Sequence, residues 1–311
     1  MKLLSELVKL PLRFDSRRLV EEISQFSPSD WTTNPSGVVG NSALILVSVK
    51  GEINDEFAIS GQMQPTNFLL RCPYLQQVLK AIAAPISRTR LMRIAPGAKI
   101  GNHLDARYHW YRRIRIHIPV VTHPAIKFNC NGKSVHMGVG EAWTFDGSLP
   151  HGVVNSTEQE RIHLVIDTKG SEILNKMLQQ NSSFSSQYIP YVPEEKVIIP
   201  IEPYRFEVLA TQEIESMLES ICQEAQNLMS KQHWTNLLGK AEEFSHKWEL
   251  AFSQYGHNQA GKSTYQELLR WFKTEIKSGL DDLVHEHSSS SYYLRVIDGM
   301  LTTSNRESIY R

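Results

Sequence analysis

The sequence has few cysteines, no surplus of either charge and no long apolar run. The three cysteines, Cys72, Cys130 and Cys222, are odd in number and far apart, so they imply no disulfide framework and favour a reducing compartment. Lysine plus arginine equals aspartate plus glutamate at 33 each, which gives no basic excess for nucleic acid. No window approaches the roughly 18 uninterrupted apolar residues of a membrane span. We therefore expect a globular, cytoplasmic protein without a nucleic-acid or membrane partner.

The first 90 residues carry a mixture of strand and helix signals. We predict strands at 7–14 and 41–50, helices that begin near Asp15 or Ser16 and at Pro73, and a polar loop at 52–67. These elements precede the region with the clearest pattern in the chain.

From Thr89 the apolar residues follow a period of two, which is typical of half-buried strands. Short strands are predicted at 89–95, 114–118, 127–130, 134–137, 142–145, 153–155 and 161–167. Asn131-Gly132 is the strongest hairpin signal among the turns between them. About eight short strands with regular turns indicate a sandwich or barrel, and a closed jelly roll would protect the strand edges and leave one mouth open.

The character of the sequence changes again after Asp167. Residues 190–203 contain four prolines and are predicted to form an ordered arm across the surface. Beyond them the period becomes helical, with helices predicted at 213–230, 234–254, 263–277 and 291–301. The fold class is therefore α+β, with one domain at 1–204 and a helical one at 205–311. The helical part has no catalytic motif, and a lid and a homodimer contact both remain open for it.

Histidines are concentrated in the β-rich region. Seven of the twelve lie between His103 and His163. In a strand, His103 and Asp105 would face the same side, and His151 on a neighbouring strand could add a third ligand. Two imidazoles and one carboxylate leave three positions on iron(II), which suits oxygen chemistry. Zinc could use the same ligands but needs only one open position.

An arginine, Arg161, follows His151 by ten residues. If residues 156–160 form a hairpin turn, both side chains project from one face, about 13 Å apart. A guanidinium and a five-carbon diacid could together bridge that gap, and the planar fork would bind the far carboxylate through two hydrogen bonds. These residues predict a non-haem iron oxygenase with a place for an organic acid.

Three motifs extend this interpretation: RIHIPV from Arg115, HMGVGEAWTFDGSLPHGVVN from His136 and RIHLVID from Arg161. Through them, residues 90–168 resemble the aspartyl/asparaginyl β-hydroxylase family of 2-oxoglutarate oxygenases, which includes several bacterial proline hydroxylases. The resemblance implies a double-stranded β-helix core that uses iron(II), 2-oxoglutarate and O2.

By the same resemblance, His103, Asp105 and His151 would be the catalytic metal ligands. Arg161 would anchor the co-substrate, and Arg115 and His117 would contact the co-substrate or the substrate carboxylate. Peptide-modifying animal members lack the metal carboxylate, so the presence of Asp105 suggests the bacterial branch. The other histidines of the region, His163 included, are predicted to be structural.

The substrate remains open at this point. One hypothesis is β-hydroxylation of an aspartyl or asparaginyl residue in a peptide or carrier-bound molecule, and the other is hydroxylation of a free amino acid such as L-proline. Arg107, Arg112, Arg113 and Arg115 suit a carboxylate in either case. Two further alternatives are a non-catalytic, cupin-like metal-binding sensor and a zinc or manganese isomerase of cupin type.

Overall fold

The computed structural model describes residues 3–33, 38–53, 61–105, 113–179, 186–205, 208–277 and 280. The chain forms two compact units: the first contains the described residues up to Leu104 and from Arg113 to Tyr204, and the second contains Asp105 and the described residues from Arg205 onward. It stays a prediction that these two units are separate domains with a boundary at 204/205. The helix predicted at 291–301 lies outside the described residues.

The first unit is built mainly of β-strands. Those described are Leu7–Phe14 (β1), Thr32–Thr33 (β2), Asn41–Val49 (β3), Met63–Pro65 (β4), Ile86–Ile94 (β5), Lys99–His103 (β6), Ile114–Val121 (β7), Lys127–Cys130 (β8), Lys133–Val135 (β9), Glu141–Phe145 (β10), His151–Val154 (β11), Arg161–Thr168 (β12) and Gln187–Ile189 (β13).

The strands form two sheets. The large sheet has the order β13-β1-β10-β7-β12-β5-β3-β2, with β4 also paired to β3, and the small sheet has the order β6-β11-β8-β9. From β5 to β12 the chain moves repeatedly between the sheets: β5, β7, β10 and β12 lie in the large one, and β6, β8, β9 and β11 in the small one. This is the topology of a double-stranded β-helix, or jelly roll, and it confirms the predicted fold class.

The turn between β8 and β9 has the conformation that its sequence predicts. Asn131 and Gly132 have φ angles of 49° and 80°, so both central residues are left-handed. A two-residue turn with two positive φ angles matches the twist of the flanking strands, and Asn-Gly is the pair that adopts it most readily. The hairpin prediction is therefore confirmed.

Helices cover one face of the large sheet. They are Ser16–Ile23 (α1), Asn67–Leu70 (α2), Pro73–Ala81 (α3) and Glu172–Gln179 (α4). Asp15 accepts a hydrogen bond from the Arg18 amide at 3.1 Å and so caps α1, as the sequence predicts. The loop predicted at 52–67 is partly wrong, because β4 lies within it and α2 begins at its end, and residues 54–60 lie outside the described part.

Strand β12 is buried along its whole length because the large sheet is covered on both faces. Ile162, Leu164 and Ile166 belong to the main apolar core, which also contains Leu19 of α1 and Leu75 of α3. The alternate positions of β12 face the small sheet. This second face is the interior of the jelly roll.

That interior combines an apolar cluster with polar side chains. The apolar cluster is formed by Ile94, Ile126, Phe128, Cys130, Met137, Phe145 and Val153. The interior-facing residues of β12 are instead polar at two neighbouring positions, Arg161 and His163, which are both almost fully buried. Buried polar groups of this kind need partners, so the interior is where a ligand is most easily accommodated.

Strands β11 and β12 lie in different sheets, which corrects the expectation of a hairpin turn at 156–160. His151 pairs with His103 and Cys130 in the small sheet, whereas Arg161 pairs with Ile94 in the large one. The jelly-roll connection crosses from one sheet to the other, so these side chains approach the interior from opposite walls. They are not neighbours on one face.

The arm at 190–203 is ordered, as predicted, and is held by backbone contacts. The Ile86 amide donates to the Pro200 carbonyl at 2.6 Å, and the Glu202 amide donates to the Ile86 carbonyl at 2.8 Å. These bonds add a short parallel bridge at the first residue of β5. They also fix the position of Glu202, whose carboxylate pairs with Arg113.

The second unit is helical and has its own core. Its helices are Thr211–Gln226 (α5), Lys231–Tyr255 (α6) and Lys262–Phe272 (α7), which continues as a π-helical turn over Lys273–Lys277. Phe244, Trp248, Tyr265 and Phe272 are fully buried within it. Among the helices described in either unit, none has the length and apolar composition to cross a membrane.

We expect all three cysteines to resist thiol reagents in the folded protein. Burial raises the pKa of Cys72 to about 12 and those of Cys130 and Cys222 to about 11. At pH 8 such thiols are almost entirely protonated, and only the thiolate reacts. Titration with Ellman's reagent should give no rapid reaction in buffer and three thiols in concentrated guanidinium. One or more fast thiols in buffer would contradict the described burial.

Candidate metal centre

The three residues predicted as metal ligands lie together at the end of the small sheet. His103 is the last residue of β6 and His151 the first of β11, and the two are direct partners in the ladder. One potential ligand atom from each histidine and one from Asp105 all lie within 4.8 Å of one another. A metal ion bound between them would therefore need little movement of the side chains.

Asp105 reaches this group by a different route from the one predicted. Strand β6 ends at His103, so Asp105 lies two residues beyond the strand. The alternation of side chains in a strand does not apply to it, and the expectation that both residues share one strand face is wrong. The path of the chain after His103 brings the carboxylate to the imidazoles.

The backbone fixes the orientation of both imidazole rings. Nδ1 of His103 lies 2.9 Å from the Gly101 carbonyl, and Nδ1 of His151 lies 2.9 Å from the Leu149 carbonyl. A carbonyl oxygen can only accept, so in each ring Nδ1 carries the proton and the lone pair is on Nε2. Both histidines are thus held in the tautomer in which Nε2 can bind a metal.

The three candidate ligands differ in their exposure to solvent. His151 is 2% exposed and its ring packs against Phe145 and Phe128, with centroid distances of 4.6 and 6.1 Å. His103 is exposed and Asp105 is half-buried. Two imidazoles and one carboxylate with an open side form the donor set of non-haem iron(II) sites, so the residues present fit iron(II). The same donors would also accept zinc.

Arg161 is a buried cation in the interior of the jelly roll. Its side chain is 3% exposed, and burial lowers the pKa of its guanidinium to about 9. Its Nη2 donates to Nδ1 of His163 at 3.0 Å. In the described part of the chain no carboxylate forms an ion pair with it, in contrast to most of the other arginines there. A buried guanidinium in this position favours the binding of an anion.

His117 lies on β7, on the same interior face of the large sheet as Arg161. It is 8% exposed, and neither ring nitrogen has a hydrogen-bond partner among the described residues. Its ring contacts those of Phe145 and His163, with centroid distances of 5.4 and 5.6 Å. Burial, and then the charges of Arg161 and Arg115, hold the pKa of His117 well below its ordinary value. It is a neutral imidazole with polar atoms that a ligand could satisfy.

A second polar group lies at the opposite end of β12 from Arg161. Asp167 is 1% exposed and lies between two arginines, at 3.1 Å from Nε of Arg115 and 3.4 Å from Nε of Arg88. Arg90, two residues further along β5, is also buried. Neither Arg88 nor Arg90 was predicted as a site residue. The signal was available, because their spacing of two within a strand puts both side chains on one face.

The predicted arginines therefore separate into two groups. Arg161 is alone at one end, whereas Arg115 lies with Asp167 at the other. Arg113 pairs with Glu202 of the ordered arm, at 2.6 Å from Nη2 to the carboxylate. Arg107 and Arg112 lie outside the described residues. His163, which was predicted to be structural, contacts Arg161 directly.

Comparison with known proteins supports the interpretation of this region. Residues 55–170 match the family model described as Aspartyl/Asparaginyl beta-hydroxylase, which covers β4 to β12. This segment is therefore similar to the aspartyl/asparaginyl β-hydroxylase family. The resemblance predicted from the motifs is thereby confirmed.

A curated relative is the L-proline cis-4-hydroxylase of Rhizobium meliloti (strain 1021), which is 24% identical over 174 residues. The alignment covers 54% of this chain and 62% of the relative, so it spans less than two thirds of that protein's length.

Among solved structures, a 2OG-Fe(II) oxygenase family oxidoreductase from Burkholderia pseudomallei is 16% identical, with a TM-score of 0.36 and coverage of 53% of this chain and 85% of that one. HygX from Streptomyces hygroscopicus, solved with nickel and 2-oxoglutarate bound, is 10% identical, with a TM-score of 0.37 and coverage of 52% and 82%.

We predict that replacing His151 by alanine abolishes tight binding of a divalent metal. Loss of an Nε2 ligand leaves one imidazole and one carboxylate, and we expect the Mn(II) dissociation constant to rise by about 100-fold or more, because even outer partners of a ligand are worth 10–100-fold. Mn(II) titration followed by electron paramagnetic resonance would measure it. His246→Ala, an exposed histidine of the second unit, is the matched control and should bind as the unchanged protein does. Equal binding by both variants would remove His151 from the ligand set.

Proposed function

We propose that this protein is an iron(II)- and 2-oxoglutarate-dependent hydroxylase whose prime substrate is an amino acid held through its carboxylate. The observation that carries the proposal is the His-Asp-His cluster together with Arg161, a buried guanidinium without a carboxylate partner in the described part of the chain. The cluster fits iron(II), and the guanidinium fits one end of a dicarboxylate. A metal-binding sensor would need only the cluster.

The strand register supports a ligand that extends from the cluster to Arg161. The connections from β5 to β6 and from β11 to β12 lie at the same end of the jelly roll, because Arg161 pairs with Ile94. His103 and His151 lie four and three residues from that end. At about 3.3 Å per residue this is about 10–13 Å, which the chain of 2-oxoglutarate and the arginine side chain can bridge together. The separation of about 13 Å predicted from the sequence is similar, although that prediction assumed that His151 and Arg161 lie on one face and not on facing sheets.

His117 supports the same arrangement from the other wall. It pairs with Val165, four residues along β12 from Arg161, and therefore lies at the level of the cluster. Its two buried nitrogens have no partner among the described residues. A carboxylate or carbonyl oxygen of a ligand at this level could accept a hydrogen bond from one of them. The predicted contact of His117 with the co-substrate is retained here as a proposal.

When bound, iron(II), 2-oxoglutarate and O2 supply the oxidising chemistry: an aliphatic C–H becomes C–OH, and 2-oxoglutarate becomes succinate and carbon dioxide. The chain contributes position and environment. His103 and His151 would present Nε2 to the metal, and the Asp105 carboxylate would neutralise part of its charge. Phe128 and Phe145 exclude water from one side of His151.

The group at the other end of β12 supports a carboxylate-bearing substrate. Among the described interior positions there, three arginines, Arg88, Arg90 and Arg115, accompany one acid, Asp167. Arginine binds carboxylates through two parallel hydrogen bonds, so this group of arginines favours a substrate with a carboxylate. The curated relative is by its name a hydroxylase of L-proline, a small molecule with such a group. We therefore favour a free amino acid.

Hydroxylation of an aspartyl or asparaginyl residue in a peptide or carrier-bound molecule is the second candidate. The description of the matched family favours it, and a side-chain carboxylate could also meet the arginines. The metal-binding sensor and the cupin-type isomerase remain formal alternatives, and neither would release succinate. A lid or dimer role for the helical unit stays a prediction.

We expect succinate to form in equal amount with hydroxylated product, and Arg161→Ala to raise the KM for 2-oxoglutarate by about 100-fold or more. The reason is that breaking a buried charge pair costs several kcal/mol, and each 1.4 kcal/mol is worth tenfold. Coupled measurement of succinate and of mass gain of one oxygen tests both statements. Arg161→Lys should recover part of the loss only, since lysine lacks the planar fork. A similar rise in the KM of the prime substrate would contradict the anchoring role.

We also expect a free carboxylate to be required on the prime substrate. A screen of amino acids, their amides and short peptides should give products with free acids, and Arg90→Gln should raise the KM of the acid about tenfold by removing one positive charge near it. Arg93→Gln is the matched control: its side chain lies on the other face of β5, where Nε donates to Ser42 at 2.9 Å. Amides that react as well as their acids would exclude this substrate class.

A further inference from the structure

Arg161 and His163 form a hydrogen-bonded pair in the interior of the jelly roll. They are 3% and 1% exposed, and Nη2 of Arg161 donates to Nδ1 of His163 at 3.0 Å. A guanidinium has only donors, so Nδ1 must accept and the imidazole proton must be on Nε2. Burial and the adjacent charge of Arg161 hold the pKa of His163 well below its ordinary value. His163 is therefore a neutral acceptor.

A neutral acceptor has an effect that a carboxylate in the same place would not have. Aspartate or glutamate would orient the guanidinium but would also neutralise it and compete with an incoming anion. A neutral imidazole fixes one N–H of the fork and leaves the positive charge uncompensated. It thus stabilises an oriented cation that can still bind a carboxylate strongly.

The imidazole also carries a second polar atom that the described chain does not use. Nε2 of His163 is buried and has no hydrogen-bond partner among the described residues. A buried donor without a partner costs on the order of 1–3 kcal/mol, and a ligand atom that accepts a hydrogen bond from Nε2 would remove that cost. The Arg161–His163 pair is thus best explained as part of a binding site for a ligand.

We propose that His163 is a positioning residue that holds the Arg161 guanidinium in the orientation required by the far carboxylate of 2-oxoglutarate, and that its Nε2–H is a donor to the same pocket. This inference rests on the proposed function. The signal for this role in the sequence is the position of His163 alone: it follows Arg161 by two residues and therefore lies on the same face of the strand.

The test is direct binding of two ligands to the Mn(II)-loaded full chain without oxygen, by calorimetry. 2-Oxoglutarate has the far carboxylate and 2-oxobutyrate lacks it, so the ratio of their dissociation constants isolates the interaction with Arg161. His163→Leu removes the acceptor and should lower the preference for 2-oxoglutarate at least tenfold, while the affinity for 2-oxobutyrate and for Mn(II) stays within about twofold. His163→Asn retains an acceptor close to Nδ1 and should recover most of the preference.

Two more variants complete the design. His163→Asp neutralises Arg161 and should lower the preference as far as Arg161→Ala does, and it remains informative if the leucine variant does not fold. Ile162→Ala is the matched control, since Ile162 lies between the two residues but faces the helices, so it should lower Tm without changing the preference.

The possible results distinguish a failure of the proposed function from a failure of the role of His163 alone. If the unchanged protein binds 2-oxoglutarate no better than 2-oxobutyrate, the proposed function and this inference both fail. If it does prefer 2-oxoglutarate, and His163→Leu or His163→Asp retains that preference, only the role of His163 is overturned.

Discussion

A buried guanidinium is the constraint on which the interior of this jelly roll depends. Arg161 is held between two β-sheets with a neutral histidine as its contact, and the described residues supply no carboxylate to balance its charge. Such a group is stable only if an anion or water completes its hydrogen bonds. An ordinary apolar core would be simpler to build at this position, so the arginine points to binding.

The jelly roll provides the geometry that this binding requires. Because successive strands alternate between two facing sheets, residues that are close in sequence approach the interior from opposite walls. His151 belongs to the small sheet and Arg161 to the large one, and His117 lies on the large sheet at the level of the cluster. An extended ligand can therefore contact metal, imidazole and guanidinium at once. The same large sheet carries Arg115 and Asp167 at the other end of the interior.

The sequence predicted much of this and failed where contacts depend on long-range pairing. Local signals were sufficient for the capped helix at Asp15, the Asn131-Gly132 hairpin and the alternating strands. The three candidate ligands and Arg161 also follow from residue type and family motif. The hairpin expected at 156–160 was wrong because the sheet to which a strand belongs is not encoded in its own alternation.

The roles of Asp105 and His163 illustrate the same limit. Asp105 was placed in a strand that in fact ends at His103, and only the folded chain brings its carboxylate to the imidazoles. His163 has no spacing that requires a metal, so it was predicted to be structural, and the folded chain shows its contact with Arg161. A histidine two residues after an anchoring arginine on a buried strand is a signal that could be sought in other sequences.

The central claim is that three side chains hold one metal ion while Arg161 holds the far end of its chelating keto acid. Anomalous diffraction from a crystal grown anaerobically with Mn(II) and 2-oxoglutarate tests it most directly. We expect one manganese peak at coordination distance from Nε2 of His103, Nε2 of His151 and the Asp105 carboxylate, with the distal carboxylate of 2-oxoglutarate on the Arg161 guanidinium. A manganese peak elsewhere, or a guanidinium paired with a carboxylate of the chain itself, would contradict the account.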